Sequence, residues 1–132
     1  MNNDNRPSLI HHPAAGTPSL TVACLCAQWC GTCRGYREML MAEAGSYPDT
    51  AFLWIDVEDD SELVGDLDIE TFPCLLVMAH SSVLFFGPML PGVDHLRRLL
   101  RTLHDHRRQP VPVDDDVVLL AERLNALIGV PS

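Results

Sequence analysis

The sequence lacks lysine, and it lacks any long apolar run. All nine basic residues are arginine, and nothing in the sequence explains this. The longest unbroken apolar runs are Val22–Ala27 and Cys74–Ala79, six residues each, whereas a membrane-spanning helix needs about 20. A transmembrane helix is therefore not expected. The 132 residues with 47% hydrophobic content fit one globular domain and exclude a wholly disordered chain.

The chain also lacks the positive charge of proteins that bind polyanions. Its formal net charge is −9, which argues against binding to nucleic acid or to an anionic membrane. Residues 51–93 carry eight acids and no Lys or Arg. Such a stretch is either a solvated surface or a docking face for a basic partner. The acids are Asp56, Glu58, Asp59, Asp60, Glu62, Asp66, Asp68 and Glu70.

The first 20 residues show no secretory pattern. They lack the charged start and the apolar stretch of roughly 7–15 residues that a signal peptide requires. We therefore expect a cytoplasmic protein. In that compartment the five cysteines are expected to be reactive, metal-binding or simply buried, and not a framework of structural disulfides.

The order of the apolar patterns predicts an α/β fold with a mixed sheet. Strands alternate with helices and then end in a hairpin, which is typical of layered α/β domains. The predicted strands are Ser8–His11 at an edge, Leu20–Ala27, Ala51–Val57, Cys74–Ala79 and Val83–Phe86; the predicted helices are Gly31–Ala44, Glu62–Leu67, Asp94–His106 and 114–129.

The same patterns predict four segments. Residues 1–19 are expected to form an N-terminal tail or a short edge element, and residues 20–106 the main domain. A proline-containing linker is predicted at 107–113, followed by a C-terminal helical extension at 114–132. The last helix either packs against the sheet or a neighbouring helix, or it offers a surface to a partner.

The sequence Trp29-Cys30-Gly31-Thr32-Cys33 follows a predicted buried strand and opens a predicted helix. Two cysteines spaced this way at a helix start bring their sulfurs to bonding distance within one turn. The positive end of the helix dipole favours the thiolate form of Cys30, and Gly31 keeps the turn permissive. We therefore predict that Cys30 is the exposed nucleophile and that Cys33, on the buried face, is the resolving thiol.

In this context the sequence resembles the thioredoxin family. AQWCGTC at residues 27–33 is similar to the active-site signature of the family, and Thr71-Phe72-Pro73 lies where the family has its cis-proline. The resemblance covers about residues 20–106. It implies a thioredoxin-like fold, a mixed central sheet flanked by helices, here with an extra C-terminal helix.

The resemblance also implies a function. A monomeric thiol–disulfide oxidoreductase without a cofactor would reduce protein disulfides through a mixed disulfide, and a reductase or a thiol pool would recycle it. Trp29, Phe72 and Pro73 would form an apolar rim for the substrate segment, and Gly87 would line the same groove. The alternative is a thioredoxin-fold module that binds a partner or senses redox state with little turnover.

The sequence departs from the family at two buried positions. Cys24 stands where the family has a buried acid that helps to deprotonate the resolving thiol, and Trp54 falls where it has a lysine. The proton acceptor for Cys33 is thus missing, or water or another side chain replaces it. We expect slower resolution of the mixed disulfide. The pair Gly31-Thr32 replaces the usual Gly-Pro, so the redox potential cannot be carried over.

Cys24, Cys26 and Cys74 leave two interpretations open. They are small buried hydrophobes, or they form a second redox centre that accepts oxidation from Cys30. Cys24 and Cys26 share one face of their strand. Four cysteines at 24, 26, 30 and 33 also suit a zinc ion, but we expect no metal site, because sulfurs on a buried strand are poorly placed to converge with the helix pair.

Overall fold

The computed structural model describes residues 8–13, 17–27, 30–65, 67, 69, 72–80, 82–90, 92–105 and 109–129. These residues form five strands and four helices. In chain order the elements are β1 (Ser8–His11), β2 (Leu20–Cys26), α1 (Gly31–Ala44), β3 (Thr50–Asp56), α2 (Ser61–Val64), β4 (Cys74–Ala79), β5 (Ser82–Pro88), α3 (Val93–Asp105) and α4 (Asp115–Ile128).

The five strands form one mixed sheet in the order β1-β3-β2-β4-β5. β2 lies at its centre, and all seven residues of this strand are buried, as its continuous apolar run predicts. β2 and β3 are parallel, which requires the α1 crossover between them, and the other pairings are antiparallel. The predicted α/β fold with a mixed sheet is confirmed.

Side chains of β2 alternate between the two faces of the sheet. Val22, Cys24 and Cys26 belong to a core shared with α1 and α3, which we call the α1/α3 core. Ala23 and Leu25 belong to a second core, the α2/α4 core. This alternation, with a period of two residues, places both odd and even positions of β2 under a helix layer.

The C-terminal helix packs on the α2/α4 core. Val117, Leu120, Ala121 and Leu124 are buried there beside residues of β2, β3 and β4. The preceding extended segment is also attached to the sheet, since the backbone N–H of Val111 donates to the carbonyl of Val83 at 2.9 Å. Of the two interpretations offered for the last helix, the structure thus supports packing against the sheet.

The helix predicted at Glu62–Leu67 is shorter than expected. α2 ends at Val64, and Gly65 follows with a φ of 66°, which a residue with a side chain rarely adopts. A Cβ at this position would lie 2.8 Å from Nη1 of Arg123. Three residues of the acidic stretch, Asp66, Asp68 and Glu70, lie outside the described residues.

Candidate functional site

Cys30 occupies the N-cap position of α1. Its backbone is extended, with φ −89° and ψ 112°, and no side chain caps the helix. The first N–H groups of a helix lack partners within the helix and carry its partial positive charge. The free thiol of Cys30 therefore lies beside the unpartnered N–H groups at the start of α1. The side chain is half-buried against the α1/α3 core.

Cys33 lies in the first turn of α1 and points into the protein. It is 1% exposed, and its backbone N–H donates to the Cys30 carbonyl at 3.2 Å. Its sulfur is not joined to Cys30: a disulfide links it to Cys26, at the end of β2, with the two Cα atoms 5.9 Å apart. The expectation that strand sulfurs are poorly placed to meet the helix pair is therefore wrong for Cys26.

The reason is the direction of the Cys26 side chain. Residues 22, 24 and 26 of β2 face the α1/α3 core, and the buried face of α1 presents Cys33 to that core. β2 runs directly into the loop before α1, so the last inward residue of the strand meets the first inward residue of the helix. The alternation of β2 already indicated that Cys26 faces the helix layer. The sequence did not reveal where along β2 the first turn of α1 lies, and this position decides whether the two sulfurs meet.

Cys24 and Cys74 carry free, buried thiols. The Cys24 sulfur lies 3.7 Å from that of Cys26 and is the hydrogen donor, because Cys26 in a disulfide has no hydrogen to give. Burial, and then the nearby Cys74, raise the pKa of the Cys24 thiol. Burial raises the pKa of Cys74 to about 11, against a smaller lowering by a backbone hydrogen bond from Gly87. Both thiols are protonated at neutral pH.

The predicted substrate-binding residues are partly brought together. The Phe72–Pro73 peptide bond is cis, and Pro73 precedes Cys74, which pairs with Leu25 on β2. The proline thus lies at the end of the sheet where Cys26 stands. Phe72 is half-buried and packs, like Cys30, against the α1/α3 core.

The structure says less about the remaining predicted substrate-binding residues, Gly87 of the groove and Trp29 of the rim. Gly87 lies on β5 opposite Leu75 of β4, the strand that begins directly after Pro73. Trp29, predicted for the rim, and Thr71 lie outside the described residues.

A groove of about 630 Å³ borders Cys33 on the side of β3. Its lining includes Trp54, Arg37 and Asp56, and the Arg37 guanidinium lies 5.5 Å from the centre of the Trp54 ring, within the range of a cation–π contact. Trp54 pairs with Cys24 across β2 and β3. The two residues expected at the positions of the family's acid and lysine are thus neighbours.

Asp56 is a groove residue that the sequence did not single out. It ends β3 and pairs with Cys26, and its Oδ1 accepts hydrogen bonds from the backbone N–H groups of Glu58 and Asp59 at 2.9 and 3.0 Å. The sequence held one signal for it: the carboxyl ends of parallel strands meet at one edge of a sheet. An acid ending β3 therefore lies beside the cysteine ending β2.

A mixed α/β sheet thus brings a free thiol at the start of α1, a buried second cysteine and a cis-proline to one edge. The Thioredoxin family model matches residues 15–86, more than half of the chain. The chain belongs to the thioredoxin family.

Two curated relatives match shorter stretches. A thioredoxin of Ophiophagus hannah is 32% identical over 54 residues, which are 41% of this chain and 51% of the relative. Thioredoxin H2-1 of Oryza sativa subsp. japonica is 31% identical over 61 residues, 46% of this chain and 44% of the relative. The chain spans about half the length of these curated relatives.

Solved thioredoxin structures share the fold. Oxidised mitochondrial thioredoxin 3 of Saccharomyces cerevisiae gives a TM-score of 0.56 at 19% identity, covering 65% of this chain and 80% of that one. The thioredoxin of Fasciola hepatica gives 0.56 at 23% identity, covering 69% of this chain and 84% of that one. At these identities the likeness concerns the fold.

The described ranges contain neither a membrane-spanning helix nor a metal-binding cluster. No helix among them has both the length and the apolar character to cross a membrane. Within the same ranges, no group of three or more His, Cys, Asp or Glu side chains is arranged to hold a metal ion.

Proposed function

We propose that this protein is a thiol–disulfide oxidoreductase that reduces disulfides of protein substrates. The observation that carries the proposal is the contrast between two cysteines of one motif. Cys30 is a free, half-buried thiol at the N-terminus of α1, and Cys33 is buried one turn further on. Membership of the thioredoxin family supports the same class of activity.

In the proposed reaction, the Cys30 thiolate attacks one sulfur of the substrate disulfide. A Cys30–substrate bond forms, and the other substrate sulfur leaves as a thiolate. Cys33 then loses its proton and attacks the Cys30 sulfur, which releases the second substrate thiolate. The substrate gains two electrons and the protein gains a Cys30–Cys33 disulfide.

The cis-Pro73 edge is the proposed substrate groove. Phe72 and Cys30 pack against the same core, and the family resemblance implies that the backbone near Phe72 pairs with an extended substrate segment. With Trp29 and Gly87 these residues would form the groove that the family resemblance implies.

We propose that Asp56 replaces the missing proton acceptor for Cys33. Both residues line the same groove, and Asp56 pairs with the strand position of Cys26. A carboxylate in a groove of this kind accepts a proton and passes it to solvent. Its Oδ1 already holds two backbone N–H groups, which fixes the orientation of the carboxylate and leaves Oδ2 for this role.

Reduction of insulin with a small dithiol as electron donor tests the activity. The wild-type protein is expected to accelerate reduction, and Cys30→Ser to abolish the acceleration. Cys33→Ser is expected to lose turnover and to accumulate the mixed disulfide. Cys74→Ala is the matched control, because it removes another buried cysteine without touching the motif. Full activity of Cys30→Ser would remove this mechanism.

One observation favours a second candidate, a redox-sensing binding module with little turnover. The Cys26–Cys33 disulfide withdraws the resolving thiol from Cys30. A protein held in that form would capture substrates at Cys30 without releasing them. Stoichiometric capture with negligible insulin turnover would support this function, whereas repeated turnover supports the reductase.

The acidic stretch provides little support for the binding-module function, which would use it as a docking face. Asp56 and Asp60 are buried, and Oδ2 of Asp60 accepts a hydrogen bond from the backbone N–H of Asp56 at 3.1 Å. Both carboxylates accept hydrogen bonds from backbone N–H groups at the end of β3 and in the loop that follows. They therefore add little to a docking face for a basic partner.

The remaining expectations belong to the same proposal. We infer a cytoplasmic monomer recycled by a reductase or a thiol pool, with residues 20–106 as the thioredoxin-like domain and 114–132 as an extension. Solved relatives include a mitochondrial and a chloroplast thioredoxin, so the family as a whole is not tied to one compartment. Imaging of a tagged protein and sedimentation of the full chain test these two points.

A further inference from the structure

We propose that Cys26 is a third redox-active cysteine and that Cys33 carries its disulfide alternately to Cys30 and to Cys26. Cys30 then exchanges disulfides with other molecules, Cys33 transfers the bond, and Cys26 holds it in the core. This inference rests on the proposed function, since it uses Cys30 as the residue through which electrons enter and leave.

The geometry places both partners beside one sulfur. Cys33 is bonded to Cys26 across the β2–α1 junction, with Cα atoms 5.9 Å apart. It is also three residues from Cys30 in the first turn of α1, where its N–H donates to the Cys30 carbonyl at 3.2 Å. One sulfur with a cysteine on each side is the arrangement that thiol–disulfide exchange requires.

Solvent access assigns different roles to the three sulfurs. Cys26 and Cys33 are each 1% exposed, and Cys30 is half-buried. Of the five cysteines, all of which the structure describes, Cys30 alone is not buried. An external thiol or disulfide is therefore expected to react first with Cys30, the most accessible of the three sulfurs.

The exchange step balances without any external reagent. After a substrate is reduced, the protein holds a Cys30–Cys33 disulfide and a Cys26 thiol. Cys26 loses its proton and attacks the Cys33 sulfur, so a Cys26–Cys33 bond forms and the Cys30–Cys33 bond breaks. Cys30 leaves as a thiolate, and the proton from Cys26 goes to it or to bulk water. The protein stays oxidised by two electrons throughout.

The recycling direction is the reverse. The Cys30 thiolate attacks Cys33, and Cys26 leaves as a thiolate and takes up a proton. An external thiolate then attacks Cys30, which frees Cys33, and a second external thiol resolves that mixed disulfide. Two external thiols become one disulfide, and the protein returns to its reduced form.

The two ends of the exchange differ in burial. A leaving Cys30 thiolate lies at the half-buried N-terminus of α1, where water solvates its charge, whereas Cys26 is 1% exposed. The attacking Cys26 ends in a buried, uncharged disulfide. The oxidised protein therefore keeps a reactive thiol at its surface, unlike a protein whose disulfide lies within the motif.

The first experiment maps the linkage of the oxidised protein. Reduced wild-type protein is equilibrated with oxidised glutathione, alkylated without reduction, and analysed by peptide mass spectrometry. We expect a Cys26–Cys33 linkage with Cys30 alkylated. Cys26→Ala is expected to give Cys30–Cys33 instead, and Cys74→Ala to give the wild-type map. A wild-type map dominated by Cys30–Cys33, or by a linkage of Cys24, would overturn the inference.

The second experiment does not depend on any variant of Cys26. The rate at which oxidised glutathione forms the Cys26–Cys33 bond is compared between wild type and Cys30→Ser. We expect the variant to form this bond at least about tenfold more slowly, because the buried pair has lost its route to the reagent. Formation at the wild-type rate would show that Cys26 and Cys33 react without Cys30, and would contradict the inference.

The two proposals fail in different ways. If insulin reduction depends on Cys30 but the oxidised map shows only Cys30–Cys33, the further inference fails and the oxidoreductase stands. If Cys30→Ser reduces insulin at the wild-type rate, the proposed function fails, whatever the linkage map shows.

Discussion

Cys30 and Cys33 belong to one turn of helix, yet they meet different surroundings. Cys30 is the half-buried N-cap residue before α1, and the helical period carries Cys33 to the face that packs on β2. Access to solvent decides which thiol a protein substrate reaches first. This difference in access supports the proposed roles of Cys30 as the attacking thiol and of Cys33 as a thiol that acts inside the protein.

Asp56 gives a residue-scale prediction. Asp56→Asn keeps an oxygen for the N–H groups of Glu58 and Asp59 but removes the base. We expect release of substrate from the mixed disulfide to slow about tenfold at neutral pH. The rate should recover as rising pH ionises Cys33 without help. Single-turnover quenched-flow across the pH range measures this.

Glu38→Gln is the control for that experiment. Glu38 lines the same groove, but it lies on the exposed face of α1, and we expect its removal to leave the pH profile in place. If Asp56→Asn releases the substrate with the same pH profile as the wild type, Asp56 is not the proton acceptor for Cys33.

At the scale of elements, helix α4 contributes to stability through its buried face. Leu120 is fully buried in the α2/α4 core, and its neighbour Leu119 is 45% exposed. We expect Leu120→Ala to lower the free energy of unfolding by about 2–5 kcal/mol, and Leu119→Ala to change it by less than about 0.5 kcal/mol. Urea denaturation measures both. Equal effects of the two substitutions would show that α4 is not docked as described.

The sequence predicted those elements whose pattern is local. The bounds of α1, Gly31–Ala44, agree with the prediction, because its apolar positions recur at helical spacing after the motif. α2 is shorter than predicted, because Gly65 ends it with a positive φ, and a pattern of apolar residues does not reveal the backbone angle of a glycine.

The site was less predictable than the fold for a related reason. Cys30 and Cys33 follow from a motif and its spacing, and the cis-Pro73 follows from the family resemblance. The Cys26–Cys33 bond and the groove between Arg37 and Asp56 depend on how high α1 sits against β2 and β3. The position of α1 along these strands is fixed by side-chain packing between the helix and the sheet. Neither the helical period nor the strand alternation in the sequence reveals this packing.

For the molecule as a whole, buried thiols make the free energy of unfolding depend on pH in the alkaline range. The pKa of Cys74 rises from an ordinary 9.0 to about 11 in the folded protein. A group held protonated by folding stabilises the protein fully below its unfolded pKa, and this contribution is lost as the pH rises through the folded pKa. We therefore expect the free energy of unfolding of the reduced protein to fall between about pH 9 and pH 11.

Cys74→Ala tests that assignment. The variant is expected to lose less stability than wild type over the same pH range, measured by urea denaturation in a phosphine reductant. Part of the decline should remain, since burial also raises the pKa values of Cys24 and Tyr36. Identical declines in both proteins would mean that Cys74 does not titrate in this range.

The central claim is that Cys30 attacks the disulfide of a protein substrate, and trapping the mixed disulfide tests it most directly. Reduced Cys33→Ser protein is mixed with oxidised insulin, quenched with an alkylating agent, and mapped by mass spectrometry. The account predicts a covalent complex linked through Cys30, absent from the Cys30→Ser, Cys33→Ser double variant. A complex linked through another cysteine, or none at all, would contradict it.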